Sequence, residues 1–172
     1  MPKTYDPIAS TTLSSTQATI TMSNIPQTYT DLIVIPYLQA TANDVGVGIY
    51  YNSDNASGNY SRTWLYGWST AVGSTRNSNT NTIGNFTSQT GAASNLFNCY
   101  HLNIMGYAST NKNKTVTYQA GNMQTTASNT EVGFGSGLWR STAAITSLTF
   151  VCGGGSTFTS GSNITIYGIK AA

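Results

Sequence analysis

Apolar residues recur at every second position in many short segments of this chain, separated by polar residues or glycine. Because successive side chains of a β-strand point to opposite faces, this period of two predicts strands with one buried face. The run 32–35 is apolar throughout, which is typical of a strand covered on both faces. The other predicted strands lie within residues 18–22, 45–51, 60–68, 100–104, 116–120, 132–138, 145–152 and 164–169.

Clusters rich in Asn, Ser, Asp, Lys and Gly separate several of these segments, at residues 52–58, 76–81, 111–113 and 153–155. Asn, Asp, Ser and Gly favour turns, and strands joined by short turns pair in antiparallel order. We therefore predict an all-β fold, an antiparallel β-sandwich of jelly-roll type with about nine or ten strands. Residues 1–172 are expected to form a single domain with a short N-terminal arm.

Neutral polar residues dominate the remainder of the chain. Ser, Thr and Asn account for 65 of the 172 residues, whereas only 7% of the residues are charged. An ordinary soluble domain is about 25% charged. Hydroxyl and amide groups must therefore cover the surface, which weakens repulsion between molecules and suits the close packing of many copies.

The distribution of basic residues and the length of the apolar runs predict neither nucleic-acid nor membrane partners. The basic residues are scattered and only Lys112 and Lys114 are close together, whereas a nucleic-acid site needs a cluster of them. The N-terminus lacks the apolar segment of a signal peptide, and no apolar run is long enough to cross a bilayer. We expect synthesis in a cytoplasm, with Cys99 and Cys152 reduced and buried.

Residues able to support catalysis or metal binding are few. The five acids are spread along the chain and show no metal-ligand spacing, so we expect no cofactor and no metal. Asp44 and Asp54 flank one predicted strand, and solvated turn residues are a better interpretation of them than a calcium site. His101, the single histidine, lies within a predicted strand, and no G-x-S-x-G motif marks a nucleophile. We therefore expect that the protein is not an enzyme.

The glycine-rich run 133–137 superficially resembles a nucleotide-binding loop. It lacks the G-x-G-x-x-G spacing, and the residues after it do not begin a helix that would bind phosphate. We expect these glycines to bend or bulge a strand instead.

An aromatic segment at 59–68 is the most informative part of the sequence. If it is extended, alternate residues share one face of a strand: Tyr60, Arg62, Trp64, Tyr66 and Trp68. Trp139 and Arg140 repeat the pairing of Trp with Arg and are candidates for the same surface. Three interpretations remain open, namely packing in or at the edge of the core, a subunit interface, and glycan binding through ring stacking.

Both ends of the chain resemble a known family. The segments 8–13, 18–22 and 25–32 resemble the beginning of small virion proteins of tailed bacteriophages, especially phages of cyanobacteria and other aquatic bacteria. The segment 160–170 is similar to the closing strand of those proteins. The resemblance implies a β-sandwich virion component, often a homotrimer, that binds the major capsid protein or other virion proteins. It supplies no catalytic residue.

The resemblance leaves two locations open, the capsid surface and a tail fibre. The β-pattern begins near Tyr5 and continues to the end of the chain, which leaves no segment for a fibre shaft. We therefore expect a capsid decoration or cement protein. The alternative is a tail-fibre or receptor-binding module that uses the aromatic face to bind a host glycan.

Overall fold

The computed structural model describes residues 5–42, 45–68, 70–88, 96–122 and 131–170. Within these residues, strands and the turns between them form nearly all of the structure. The strands are β1 (Tyr5–Thr12), β2 (Thr19–Met22), β3 (Asp31–Leu38), β4 (Val45–Tyr51), β5 (Tyr60–Trp68), β6 (Ala71–Thr80), β7 (Ile83–Ser88), β8 (Asn98–Met105), β9 (Lys114–Asn122), β10 (Glu131–Trp139), β11 (Leu148–Cys152) and β12 (Asn163–Ile169). A single 3₁₀ turn, Gly153–Gly155, interrupts them in the described residues.

The described strands pair in antiparallel order in two sheets. An eight-stranded sheet has the order β1-β12-β3-β8-β9-β10-β5-β6, and a four-stranded sheet has the order β2-β11-β4-β7. Eight strands remain if the hairpins β5–β6 and β9–β10 are left out. When these eight are renumbered 1–8 in chain order, the two sheets have the strand orders 1-8-3-6 and 2-7-4-5. That is the strand order of a jelly roll, so the predicted fold class is confirmed. The two hairpins extend one sheet of the sandwich beyond β8.

One cluster of buried apolar side chains lies between the sheets. Leu32 and Val34 on β3 and Leu102 on β8 are fully buried, as are Ile49 and Phe150 on β4 and β11. On β4 and β8 the buried side chains occupy alternate positions, which is the pattern that predicted those strands. β3 was predicted from a continuous apolar run as a strand covered on both faces, but only its alternate positions are fully buried and Ile33 and Ile35 are half-buried, so that expectation was wrong.

Twelve strands occur in the described residues, rather than nine or ten. The β-pattern was expected to begin near Tyr5, where β1 does begin, but no separate strand was assigned there, and β6 and β7 were missed. The segment 76–81 was predicted to be a turn, but residues 76–80 continue β6. That prediction was wrong because β6 is an edge strand whose positions are exposed or half-buried, so no apolar alternation marks it.

Candidate functional site

The predicted aromatic face of β5 exists, and it runs from the core to the end of the sheet. Tyr60 is fully buried, Trp64 is 7% exposed and Trp68 is 42% exposed, with Arg62 and Tyr66 half-buried. The gradient arises because this face points inward, towards β7 of the other sheet, at Tyr60 and Arg62. Tyr60 and Trp64 are therefore core residues. Among Tyr60, Trp64 and Trp68, only Trp68 has a large exposed area that a ligand could contact.

Tyr60 and Trp139 belong to one aromatic cluster. The two residues pair across β5 and β10, and their rings stack with centroids 6.3 Å apart. The ring of Tyr51 meets the Trp139 ring edge-on at 5.5 Å. The Tyr60 hydroxyl donates to the backbone carbonyl of Asp54 at 2.7 Å. The cluster thus fastens the β4–β5 loop to the core.

The side chain of Asp54 is the polar centre of that loop. Its carboxylate accepts hydrogen bonds from Nε1 of Trp139 at 2.7 Å, from Nδ2 of Asn59 at 2.8 Å and from the backbone N–H of Ala56 at 3.2 Å. N–H donors compete with a cation for the oxygen lone pairs, so this arrangement favours a structural role over calcium binding. Asp44, the other residue considered for calcium, lies outside the described residues.

The same contacts determine how Asp54 titrates. Burial by itself would raise the pKa of Asp54, but the hydrogen bonds from Trp139, Asn59 and Ala56 stabilise the carboxylate, and its pKa lies below the usual value. The contribution to stability is therefore present above the unfolded-state pKa of about 4 and is lost as the pH falls through the folded-state pKa.

We expect the free energy of unfolding to decrease as the pH falls below about 5 and through the lowered folded-state pKa of Asp54, and Asp54→Asn to reduce that decrease because the amide does not titrate. Urea unfolding of both proteins at several pH values measures the effect. Parallel decreases in the two proteins would show that Asp54 does not contribute to it.

Arg62 and Arg140 both hold backbone carbonyl groups. Arg140 donates to the carbonyl oxygens of Gly58 at 2.6 Å and Ser78 at 2.7 Å, which joins the β4–β5 loop to β6. Arg62 donates to the carbonyl oxygen of Gly84 in β7. The two guanidinium groups therefore connect segments of the fold, which sequence patterning could not distinguish from an interface role.

The rings of Trp64 and Tyr118 meet above the backbone of β10. Their centroids are 5.4 Å apart and their planes differ by 18°. A Cβ atom on Gly133 would lie 2.0 Å from Cζ2 of Trp64, and one on Gly135 would lie 2.3 Å from Cζ of Tyr118. Nε1 of Trp64 donates to Oε1 of Glu131 at 2.9 Å, which holds the indole in this position. Because Gly133 and Gly135 have no side chains, β10 leaves the space that the two rings occupy.

The prediction that the glycines of 133–137 bend or bulge a strand was wrong. Strand β10 pairs with β5 and β9 in continuous register over its whole length. The glycines at 133, 135 and 137 all face inward and make room for side chains of β5, β9 and β7. Spacing of two residues along a strand is the sequence pattern that could have indicated this role.

The outward face of the extended sheet carries a cluster that sequence patterning missed. Leu65 lies opposite Phe134, and Gly67 lies between Val132 and Val72. We call Leu65, Val72, Val132 and Phe134 the apolar patch; each of the four is substantially exposed. The patch forms one side of a shallow groove of about 990 Å³ that continues across β9 to β8.

Two predicted residues lie at the β8 end of this groove. Cys99 is exposed, which corrects the prediction that it is buried, whereas Cys152 is buried as predicted. Cys99 alternates with Tyr100, which occupies the inward position. His101 is half-exposed on the outward face of β8.

Lys114, at the start of β9, is buried, and its Nζ donates hydrogen bonds to the carbonyl oxygens of Lys112 and Thr142.

No three His, Cys, Asp or Glu residues gather into a possible metal site in the described part of the chain. The same residues contain no helix that is long and apolar enough to span a membrane. Comparisons with protein-family models, curated proteins and solved structures find no match to this chain.

Proposed function

We propose that this protein is a structural component of a tailed-bacteriophage virion, a capsid decoration or cement protein that assembles as a homotrimer on the shell. The observation that carries the proposal is the broad outward face of the eight-stranded sheet. On four of its eight strands, β5, β10, β9 and β8, none of the described outward residues is Lys, Arg, Asp or Glu. Such a face can lie against the shell or against another copy without burying unpaired charge.

The fold adds support to the resemblance at the chain ends. The segments that resemble small virion proteins fall on β1, β2, β12 and the start of β3. β12 lies between β1 and β3, so the first and last parts of the chain are neighbours in one sheet. Within the segment 25–32, β3 begins at Asp31, whose Oδ1 accepts a hydrogen bond from the backbone N–H of Gly106 at 2.6 Å.

A cement protein would act by mass action. Each copy bridges neighbouring shell subunits, so the shell gains stability in proportion to the logarithm of the free protein concentration divided by its dissociation constant. The contacts would be apolar and neutral polar, and therefore weakly dependent on salt.

We expect phage particles stripped of this protein to release their DNA at a temperature several degrees lower than intact particles, and the purified protein to restore the original temperature. Restoration should be similar in about 0.05 M and about 0.5 M NaCl, since few charges are involved. An unchanged release temperature would contradict the cement role. Imaging separates the alternative: density over the head facets supports decoration, and density confined to the tail supports a fibre or receptor-binding module.

A further inference from the structure

A pocket of about 440 Å³ lies beside the four-stranded sheet, where the turn between β6 and β7 meets β4. Gly46, Gly48 and Gly153 form part of its wall, and a Cβ atom on Gly48 would lie 2.9 Å from Cγ2 of Thr82 in that turn. The missing side chains leave space for the pocket and let the turn approach the strand. Sites for small molecules commonly have volumes of about 300–1,000 Å³.

Arg62 is the one charged residue that lines this pocket among the residues described. Its Nη1 donates hydrogen bonds to the carbonyl oxygen of Gly84 and to Oγ1 of Thr82. Both of those residues also line the pocket, so the guanidinium group lies at its wall. Nε and Nη2 form the other edge of the planar group, and no described residue accepts a hydrogen bond from them.

The positive charge of Arg62 is not neutralised by any carboxylate in the described part of the chain. The four described acids accept hydrogen bonds elsewhere in the fold, namely Asp6 from Tyr29, Asp31 from Gly106, Asp54 from Trp139 and Glu131 from Trp64. Burial lowers the pKa of the half-buried Arg62 guanidinium, because part of its hydration is lost. A partly desolvated cation of this kind is stabilised when an anion binds to it.

The chemistry of the pocket selects the anion. Nε–H and Nη2–H of a guanidinium lie side by side and match the two oxygens of a carboxylate. One positive charge balances one negative charge, whereas a phosphate dianion would keep an unpaired charge in the pocket. Asn79, Asn81 and Ser57 line the same pocket, and their amide and hydroxyl groups can pair with hydroxyl groups of a ligand.

We propose that this pocket binds a small carboxylate that carries hydroxyl groups, which is the chemistry of a sugar acid. The carboxylate accepts two hydrogen bonds from Nε and Nη2 of Arg62, and the neighbouring amide and hydroxyl groups bind the ligand hydroxyls. A neutral sugar leaves the guanidinium unpaired, and a bare carboxylate makes no use of the amides, so both bind more weakly. The proposal rests on the pocket alone and is independent of the virion role.

NMR titration of the isotope-labelled protein at constant pH and ionic strength tests this binding. The probes are glucuronate, acetate, glucose and N-acetylaspartate amide, the last as a mimic of an acidic side chain. We expect glucuronate to shift the Nε–H signal of Arg62 and the backbone N–H signals of Gly46 and Gly48, with a Kd on the order of 1 mM. The other three probes should bind about tenfold more weakly, since each lacks part of the hydrogen bonding.

Variants of the pocket make the test specific. Arg62→Gln should abolish binding of glucuronate, but it also removes the hydrogen bond to Gly84. Asn81→Asp keeps the protein contacts of Arg62 and adds a negative charge to the pocket, so it should weaken binding at least about tenfold. Arg76→Gln is the matched control, because Arg76 is exposed on β6 and does not line the pocket. It should bind glucuronate like the wild type.

An absence of signal shifts with glucuronate up to about 20 mM would overturn the proposal, as would equal binding by the wild type and Asn81→Asp. Equal weakening in Arg76→Gln would also overturn it, because net charge and not the pocket would then attract the anion. If acetate or N-acetylaspartate amide binds as tightly as glucuronate, the sugar acid is rejected and the site takes a carboxylate side chain of a partner protein. No phage particle is used, so these outcomes leave the test of the cement role separate.

Discussion

Gly133→Ala should lower the free energy of unfolding by about 3 kcal/mol, because the new methyl group overlaps the indole of Trp64. The ring cannot easily move away. It stacks on Tyr118 on one side and its Nε1 is hydrogen-bonded to Glu131. Urea unfolding followed by tryptophan fluorescence measures the loss.

Gly121→Ala is the matched control for this substitution. Gly121 lies on the neighbouring strand β9, and a Cβ atom there would have nothing within 4 Å. Its effect should stay within about 0.5 kcal/mol of zero. In a Trp64→Ala background, Gly133→Ala should cost much less, because the ring that it strikes is absent. An equal cost in both backgrounds would attribute the effect to the backbone of β10 rather than to ring packing.

Asp54→Ala should be about as damaging as Gly133→Ala, with a loss of about 3 kcal/mol in the free energy of unfolding. It leaves the Nε1–H of the buried Trp139 without its acceptor and releases Asn59 and the backbone N–H of Ala56. A hydrogen bond to a charged group contributes about 1.5–3 kcal/mol, and an unsatisfied buried donor adds its own penalty. Thermal and urea unfolding both report the change.

Trp139→Phe provides the comparison, because it removes the donor and keeps an aromatic ring against Tyr60. In that background Asp54→Ala should cost less than in the wild type, since no indole N–H remains to be satisfied. Additive losses would mean that the bond between Trp139 and Asp54 contributes little. Asp54→Asn should fall between the wild type and Asp54→Ala, because the amide retains one oxygen as an acceptor.

Most of the strands that were predicted correctly have a buried face opposite a more exposed one, with β11, which is buried along most of its length, as an exception. β8 and β12 alternate strictly between buried and more exposed positions, so their sequences carry the information needed to identify them. β6 has no buried face, and its composition of Ser, Asn and Thr resembles that of a turn. Its strand conformation arises from pairing with β5, the preceding strand of the same hairpin, and the residues of β6 alone do not reveal that pairing.

The candidate site residues were also predicted only in part, because their burial depends on the surrounding strands. Alternation correctly predicted that Tyr60, Trp64 and Trp68 share a face, but not that the burial of this face decreases along β5. Trp139 and Arg140 were grouped with that face, and Trp139 does contact Tyr60, in the core rather than on a surface. The apolar patch was missed because its four residues come from three strands, of which β10 is far in the chain from the hairpin β5–β6.

The sequence by itself determined that this chain forms strands, which side chains share a face, and that few charges remain for the exterior, because side-chain direction and composition are local properties. Only the tertiary structure decided which face is covered, since covering depends on the strands that pair and the sheet that packs opposite. Gly133 and Val72 both lie in extended segments, but Trp64 packs against Gly133 whereas Val72 is 89% exposed. This difference depends on which strands and side chains the fold places beside each residue.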